Sequence, residues 1–143
     1  MNAWDLFVNR GYNCAESALG GIVGEIDACS SLASGFGGGI GGSGDICGAA
    51  TGAIMGLGAR ANVRVHDDRS VSELKDMVIR FLIAFEKECG GLDCRDLIPL
   101  DEMFDDEVSR KEYFSGRDRK TKCAAFVESA ERIAESLLEE KGW

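Results

Sequence analysis

Six cysteines in a chain of 143 residues are the side chains with the clearest potential for chemistry. Cysteine thiolates attack disulfides, and they also ligate zinc and iron–sulfur clusters. The first residues show neither the basic region nor the apolar core of a secretory signal, so we expect a cytoplasmic protein. Structural disulfides are uncommon in the cytoplasm, and this many cysteines therefore favours redox or metal chemistry.

Cys47 lies where a glycine loop passes into an uncharged, helix-like run. Residues 34–58 contain 11 of the 19 glycines of the chain. We expect a helix to begin near Asp45, capped by Asp45 or Ser43, with Cys47 in its first turn. Backbone N–H groups and the helix dipole would stabilise a thiolate there and lower the pKa of Cys47, with the charge of Asp45 partly opposing this effect. The competing interpretation is a small, buried apolar cysteine.

The glycines around Cys47 suggest places where another group approaches the backbone closely. From Gly48 onward, glycine recurs at every fourth position and so falls on one helix face. Gly48 and Gly52 are therefore candidate cofactor-binding positions. Gly37 and Gly39 belong to a GxGxxG pattern at 37–42, whose N–H groups would hold an anion or a cluster sulfide. Because no convincing strand precedes this pattern, a connecting loop is favoured over a dinucleotide site.

Cys14 occupies a position like that of Cys47. Asn13 is predicted to cap a helix, and Glu16 lies three residues later, where it completes a capping box. This places Cys14 in the first helical turn. Two cysteines at helix starts are the geometry expected for a pair of activated thiols, and an accidental placement of small residues near caps is the alternative.

Three further cysteines follow in the second half of the chain. Cys89 continues the apolar stripe of a predicted helix, so we expect it to pack in the core at the helix end. Cys94 follows in the turn, and the CxxxxC spacing of the two lacks the second close pair that is typical of zinc sites. Cys123, at the start of the last helix, shares the apolar face of that helix and is expected to point toward the core.

The remaining sequence predicts helices throughout. It contains a single proline and few alternating β-branched runs. We expect an all-α fold: a compact helical bundle around a central glycine-rich helix preceded by a glycine loop, in one domain spanning 1–143. Other helices are expected to begin at Asn2, at Ser70 or Ser72, and to span about 122–140.

Charge and hydropathy limit the kinds of binding partner that we expect. The net charge of −9 argues against non-specific binding of nucleic acid, and no apolar run reaches the length of about 20 residues that a membrane-embedded helix needs. His66 is expected to be a solvated loop histidine, and the acidic run 101–107 the exposed face of a short helix. We expect the basic segment 109–122 to compensate the acidic remainder of the surface, and binding of a partner protein or a small anionic substrate is the alternative. A homo-oligomer is compatible with the sequence.

Several of these segments together resemble one known family. Residues 47–52 (CGAATG) resemble the CGAxxG signature of the C_GCAxxG_C_C family, whose members are described as redox-active. Residues 11–16 resemble the opening block of the family, 35–41 its glycine run, 94–98 its third cysteine segment and Cys123 its last cysteine. The resemblance implies a mostly helical domain with a redox role and no established substrate. It assigns the four family cysteines to Cys14, Cys47, Cys94 and Cys123.

Three functions are compatible with these cysteines, in order of preference. In a thiol oxidoreductase or electron-transfer protein, Cys47 is the activated thiol and one of the other three family cysteines resolves the mixed disulfide, with the connectivity left open. In a metalloprotein, all four ligate zinc or an iron–sulfur cluster. In a helical interaction module they are buried side chains and no cofactor is needed. Cys29 and Cys89 match no family position and are weaker candidates.

Overall fold

The computed structural model describes residues 1–62, 68–98, 106–114 and 117–143, and these are helical for most of their length. The expected all-α fold is confirmed. His66 and residues 101–105 lie outside the described parts. The helices are α1 (Ala3–Val8), α2 (Cys14–Val23), α3 (Asp27–Ala33), α4 (Gly48–Ala61), α5 (Asp68–Cys89), α6 (Cys94–Leu97), α7 (Glu107–Phe114) and α8 (Arg117–Lys141).

Helix α2 begins as the local sequence predicts. The Asn13 side chain accepts a hydrogen bond of 2.8 Å from the N–H of Glu16. The Glu16 carboxylate in turn accepts one of 3.1 Å from the N–H of Asn13. This capping box satisfies two N–H groups at the helix start. It makes Cys14 the first residue of α2.

Helix α4 begins at Gly48, later than the expected start near Asp45, and Cys47 is its N-cap residue rather than part of its first turn. The chain before it is extended, because Ile46 forms an isolated antiparallel bridge with Asp93. The side chain of Cys47 makes no capping hydrogen bond. Capping of this helix by Ser43 or Asp45 is therefore wrong.

The glycine face of α4 packs against α2. A Cβ atom added at Gly52 would collide with the carbonyl oxygen of Ala15, and one at Gly56 would lie 2.8 Å from Cγ2 of Ile22. Glycine inside a helix costs about 1 kcal/mol relative to alanine. Here that cost is offset by a helix–helix approach that no larger residue allows.

The two long C-terminal helices complete the core. Helix α5 begins at Asp68, before the serines expected to cap it, and α8 begins at Arg117 rather than near Lys122. Phe81 and Phe85 of α5 are fully buried in the main hydrophobic cluster. Among the described residues, no helix has the length and hydropathy to cross a bilayer.

Candidate functional site

One small cavity in the core brings four cysteines together. Its volume is about 10 Å³, close to the least that holds a single water molecule. The four cysteines are each at most 7% exposed and belong to the main hydrophobic cluster. Sulfur atoms and apolar groups thus dominate its walls. Its lining residues are Cys14, Gly38, Cys47, Gly48, Cys94, Leu97, Ile98, Cys123 and Phe126.

The side chain of Cys14 enters the cavity beside Gly48, the first residue of α4. A Cβ atom at Gly48 would lie 2.5 Å from Sγ of Cys14 and 3.0 Å from the carbonyl oxygen of Phe36. The sulfur of Cys14 therefore occupies the space beside Gly48 that a side chain would fill. Because Cys47 immediately precedes Gly48, the starts of α2 and α4 bring two thiols to one place.

Cys94 is held beside Cys47 by backbone hydrogen bonds. The N–H of Cys47 donates to the carbonyl oxygen of Leu92 at 2.8 Å, and the N–H of Cys94 donates to that of Asp45 at 2.7 Å. Cys94 is the first residue of α6. A Cβ atom at Gly39 would lie 2.7 Å from Cβ of Cys94, so the glycine loop packs directly on this cysteine.

The glycine loop is closed by its own hydrogen bonds. Residues 38–42 all have left-handed φ values between 63° and 77°, which glycine adopts readily and Ile40 does not. The N–H groups of residues 40–45 all donate to carbonyl oxygens of residues 35–40. These six N–H groups are thus already used and are not open to an anion or a cluster sulfide.

The glycines predicted to bind a cofactor face protein atoms instead. A Cβ atom at Gly37 would lie 2.8 Å from Nδ2 of Asn13, and those at Gly39, Gly48 and Gly52 would also collide with neighbouring residues. The close approach that they permit is taken up within the fold. Cofactor binding at these four positions stays a prediction.

The electrostatics of Cys47 differ from the expectation. Burial raises the pKa of this thiol well above its usual range, and a charge on Cys14 would raise it further. The N–H groups of Ala49 and Ala50 lower the pKa, as predicted for a helix start, but their effect is smaller. The expected net lowering was wrong because the cost of removing a thiolate from water exceeds the stabilisation by two donors.

Cys123 lies in the second turn of α8 rather than at its start, and it faces the core as predicted. The prediction that it begins the helix is wrong because α8 extends back to Arg117. Phe126, which also lines the cavity, was not predicted. Helical periodicity could have predicted it, because a residue three positions after Cys123 falls on the same helix face.

The four cysteines do not form a recognisable ligand set. Within the described residues, no group of three or more His, Cys, Asp or Glu side chains has the arrangement of a metal site. Zinc or a Cys-ligated cluster needs its thiolates at one common bonding distance of about 2.3 Å. Ligation of a metal or cluster by these four cysteines stays a prediction.

The other two cysteines lie elsewhere. Cys29 belongs to a separate small cluster with Ala15, Leu19 and Ala33, and burial raises its pKa. Cys89 is half-buried at the end of α5, where burial also raises its pKa. Neither lines the cavity.

The structure therefore defines a class: an all-α protein that encloses four cysteine thiols in one cavity, two of them at the starts of helices that pack against each other. The chain belongs to the family described as "Putative redox-active protein (C_GCAxxG_C_C)", whose model matches residues 12–137. The matched segment includes all four cavity cysteines. No curated protein and no solved structure matches the chain.

Proposed function

We propose that this protein is a thiol–disulfide redox protein whose reacting groups belong to Cys14, Cys47, Cys94 and Cys123. The observation that carries the proposal is the cavity. Four cysteines from separate parts of the chain line it. A purely structural role would not require sulfur on so many walls of one cavity.

The reaction interconverts a dithiol and a disulfide. Two thiols lose two protons and two electrons as the S–S bond forms, and a disulfide acceptor takes up both to become two thiols. Both the dithiol and the disulfide are uncharged, so either form suits an apolar cavity. The attacking species is a thiolate. Burial disfavours a thiolate at Cys47 by raising its pKa, and the N–H groups of Ala49 and Ala50 offset part of this effect.

Access to the sulfurs requires movement of the cavity wall. The four cysteines are nearly buried, and the cavity holds no molecule larger than water. Phe126 is half-buried, whereas the other lining residues are buried. The proposed path for an acceptor disulfide therefore passes by this phenyl ring.

A thiol titration tests the proposal. Protein purified anaerobically is titrated with a chromogenic disulfide reagent under denaturing conditions, before and after incubation with an excess of oxidised glutathione. We expect the titre to fall from six thiols to four, to return with reductant, and to fall by two as well in a Cys29→Ala, Cys89→Ala double variant.

The contrary outcome is a thiol titre that oxidation leaves unchanged in the wild type, or one that falls in the wild type but not in the double variant. Either result would refute the proposal. Elemental analysis of the same sample addresses the alternative function, because zinc or iron bound in stoichiometric amount would favour a metalloprotein.

A further inference from the structure

We infer that Cys14 and Cys47 are the pair that forms the disulfide, and that Gly48 is the residue that positions them. The inference rests on the proposed function and adds to it the identity of the reacting pair. A single disulfide could in principle join any two of the four cysteines, and the packing of α2 on α4 favours this pair.

The sulfur of Cys14 lies beside Gly48, the residue that follows Cys47. It lies against Gly48, at a place only 2.5 Å from where a Cβ atom of residue 48 would stand. Consecutive Cα atoms are about 3.8 Å apart, so this sulfur lies beside the residue adjacent to Cys47. Cys14 starts its helix and Cys47 caps its own, so both thiols are at helix ends that meet.

Cys94 is less well placed to bond with Cys47. The bridge between Ile46 and Asp93 sets Cys47 opposite Leu92, which makes Cys47 and Cys94 diagonal neighbours. Diagonal residues of an antiparallel pair lie about 7–8 Å apart, beyond the usual Cα separation of about 4.4–6.8 Å in a disulfide. In agreement, a charge on Cys14 raises the pKa of Cys47 more than one on Cys94 does.

Gly48 gives the pair room. With any side chain at this position, the sulfur of Cys14 would be displaced from the start of α4, and the carbonyl oxygen of Phe36 blocks the other side at 3.0 Å. Oxidation removes one proton and one electron from each of Cys14 and Cys47, and an acceptor disulfide such as oxidised glutathione receives them. The new bond then closes a segment of the chain that contains α2 and α3.

Disulfide mapping tests the pairing. The full-length protein is oxidised with oxidised glutathione, remaining thiols are blocked at low pH, and the bonded peptides are identified by mass spectrometry. We expect a bond between Cys14 and Cys47. A bond between any other two of the four cavity cysteines would overturn the pairing and leave the proposed function intact, whereas the absence of any intramolecular bond would overturn both.

Three glycine variants separate positioning from stability. Gly48→Ala is expected to slow formation of the Cys14–Cys47 bond by about tenfold or more, because its methyl group occupies the place of the sulfur. Gly52→Ala adds a methyl group between the same two helices, at a position where it meets Ala15 and no sulfur atom. The methyl group of Gly58→Ala meets nothing closer than 3.8 Å. Both controls should form the bond within about twofold of the wild-type rate.

Equal rates in Gly48→Ala and Gly52→Ala would show that Gly48 has no positioning role. Circular dichroism and unfolding midpoints confirm that each variant is folded. If Gly48→Ala does not fold, the equilibrium between the Cys14–Cys47 bond and glutathione is instead measured in Cys94→Ala and Cys123→Ala. Retention of the bond in both supports the pair, and its loss in both refutes it.

Discussion

Gly52 of α4 lies directly against the main chain of Ala15 in α2. A Cβ atom at Gly52 would collide with the carbonyl oxygen of Ala15 and stand 3.0 Å from its Cα atom. Both of these groups are backbone, which cannot move aside as a flexible side chain does. The contact therefore sets how closely the two helices pack at this turn of α4.

Gly52→Ala should accordingly destabilise the protein. Overpacking at a close contact costs about 1–3 kcal/mol, and here it exceeds the gain in helix propensity. Gly58→Ala in the same helix is the matched control, since its nearest neighbour is at 3.8 Å. The control should raise the free energy of unfolding by about 0.5–1 kcal/mol. Urea denaturation under reducing conditions measures both, and equal changes would contradict the close packing.

The raised pKa of Cys47 predicts a loss of stability at alkaline pH. The unfolded chain releases this proton near pH 8.5, whereas the buried thiol holds it to higher pH. Between these two pKa values the unfolded state binds fewer protons, so the free energy of unfolding falls as pH rises. Below about pH 8 the thiol is protonated in both states, so Cys47 does not make the free energy of unfolding depend on pH.

Cys47→Ala provides the comparison for this prediction. Denaturation of the reduced protein between pH 7 and 10 should give a shallower slope in the variant than in the wild type. Cys29 and Cys89 also have raised pKa values and contribute to the slope in both proteins. Identical slopes would show that Cys47 is not a buried thiol.

Phe126 is expected to control the reactivity of the cavity thiols. Phe126→Ala removes the half-buried part of the cavity wall, so alkylation of the native protein by iodoacetamide should accelerate about tenfold or more at Cys123 and Cys47. A large-to-small change of this kind also costs about 3–5 kcal/mol when the ring is fully buried, and less here.

Phe126→Leu distinguishes access from instability, because leucine keeps most of the apolar contact. We expect an intermediate rate at the cavity thiols and an unchanged rate at Cys29, which lies in the other cluster. Uniform acceleration at all six cysteines would indicate general unfolding instead.

Glu131 of α8 predicts a second pH dependence. Its carboxylate accepts a hydrogen bond of 2.9 Å from the N–H of Ala3, and burial raises its pKa. A carboxyl group with a raised pKa stabilises the fold fully below its unfolded value of about 4.3 and loses this contribution as pH rises. Glu131→Gln keeps an acceptor oxygen and removes the buried charge.

The variant should therefore be more stable than the wild type at pH 7, and the difference should vanish at pH 4. Glu139→Gln, at an exposed position of the same helix, is the control and should leave stability within about 0.5 kcal/mol. Thermal unfolding at both pH values provides the measurement. A Glu131→Gln variant that is less stable at pH 7 would contradict the burial argument.

Local features were predictable from the sequence. The capping box at Asn13 and Glu16 needs only four neighbouring residues, so the start of α2 and the place of Cys14 were correct. The spacing of Gly48 and Gly52 likewise defined a helix face whatever packed against it. The start of α4 was not predictable, because the bridge from Ile46 to Asp93 joins distant parts of the chain.

The sequence by itself determined the helical class, the helix faces and the membership of the family, since these depend on periodicity, caps and local motifs. Tertiary structure alone decided that Cys14, Cys47, Cys94 and Cys123 share one cavity. It also made burial raise the pKa of Cys47, whereas the position at a helix start had predicted a lowered pKa. The physical reason is that desolvation and proximity depend on residues brought together from distant parts of the chain, and neither is encoded in the immediate neighbours of a cysteine.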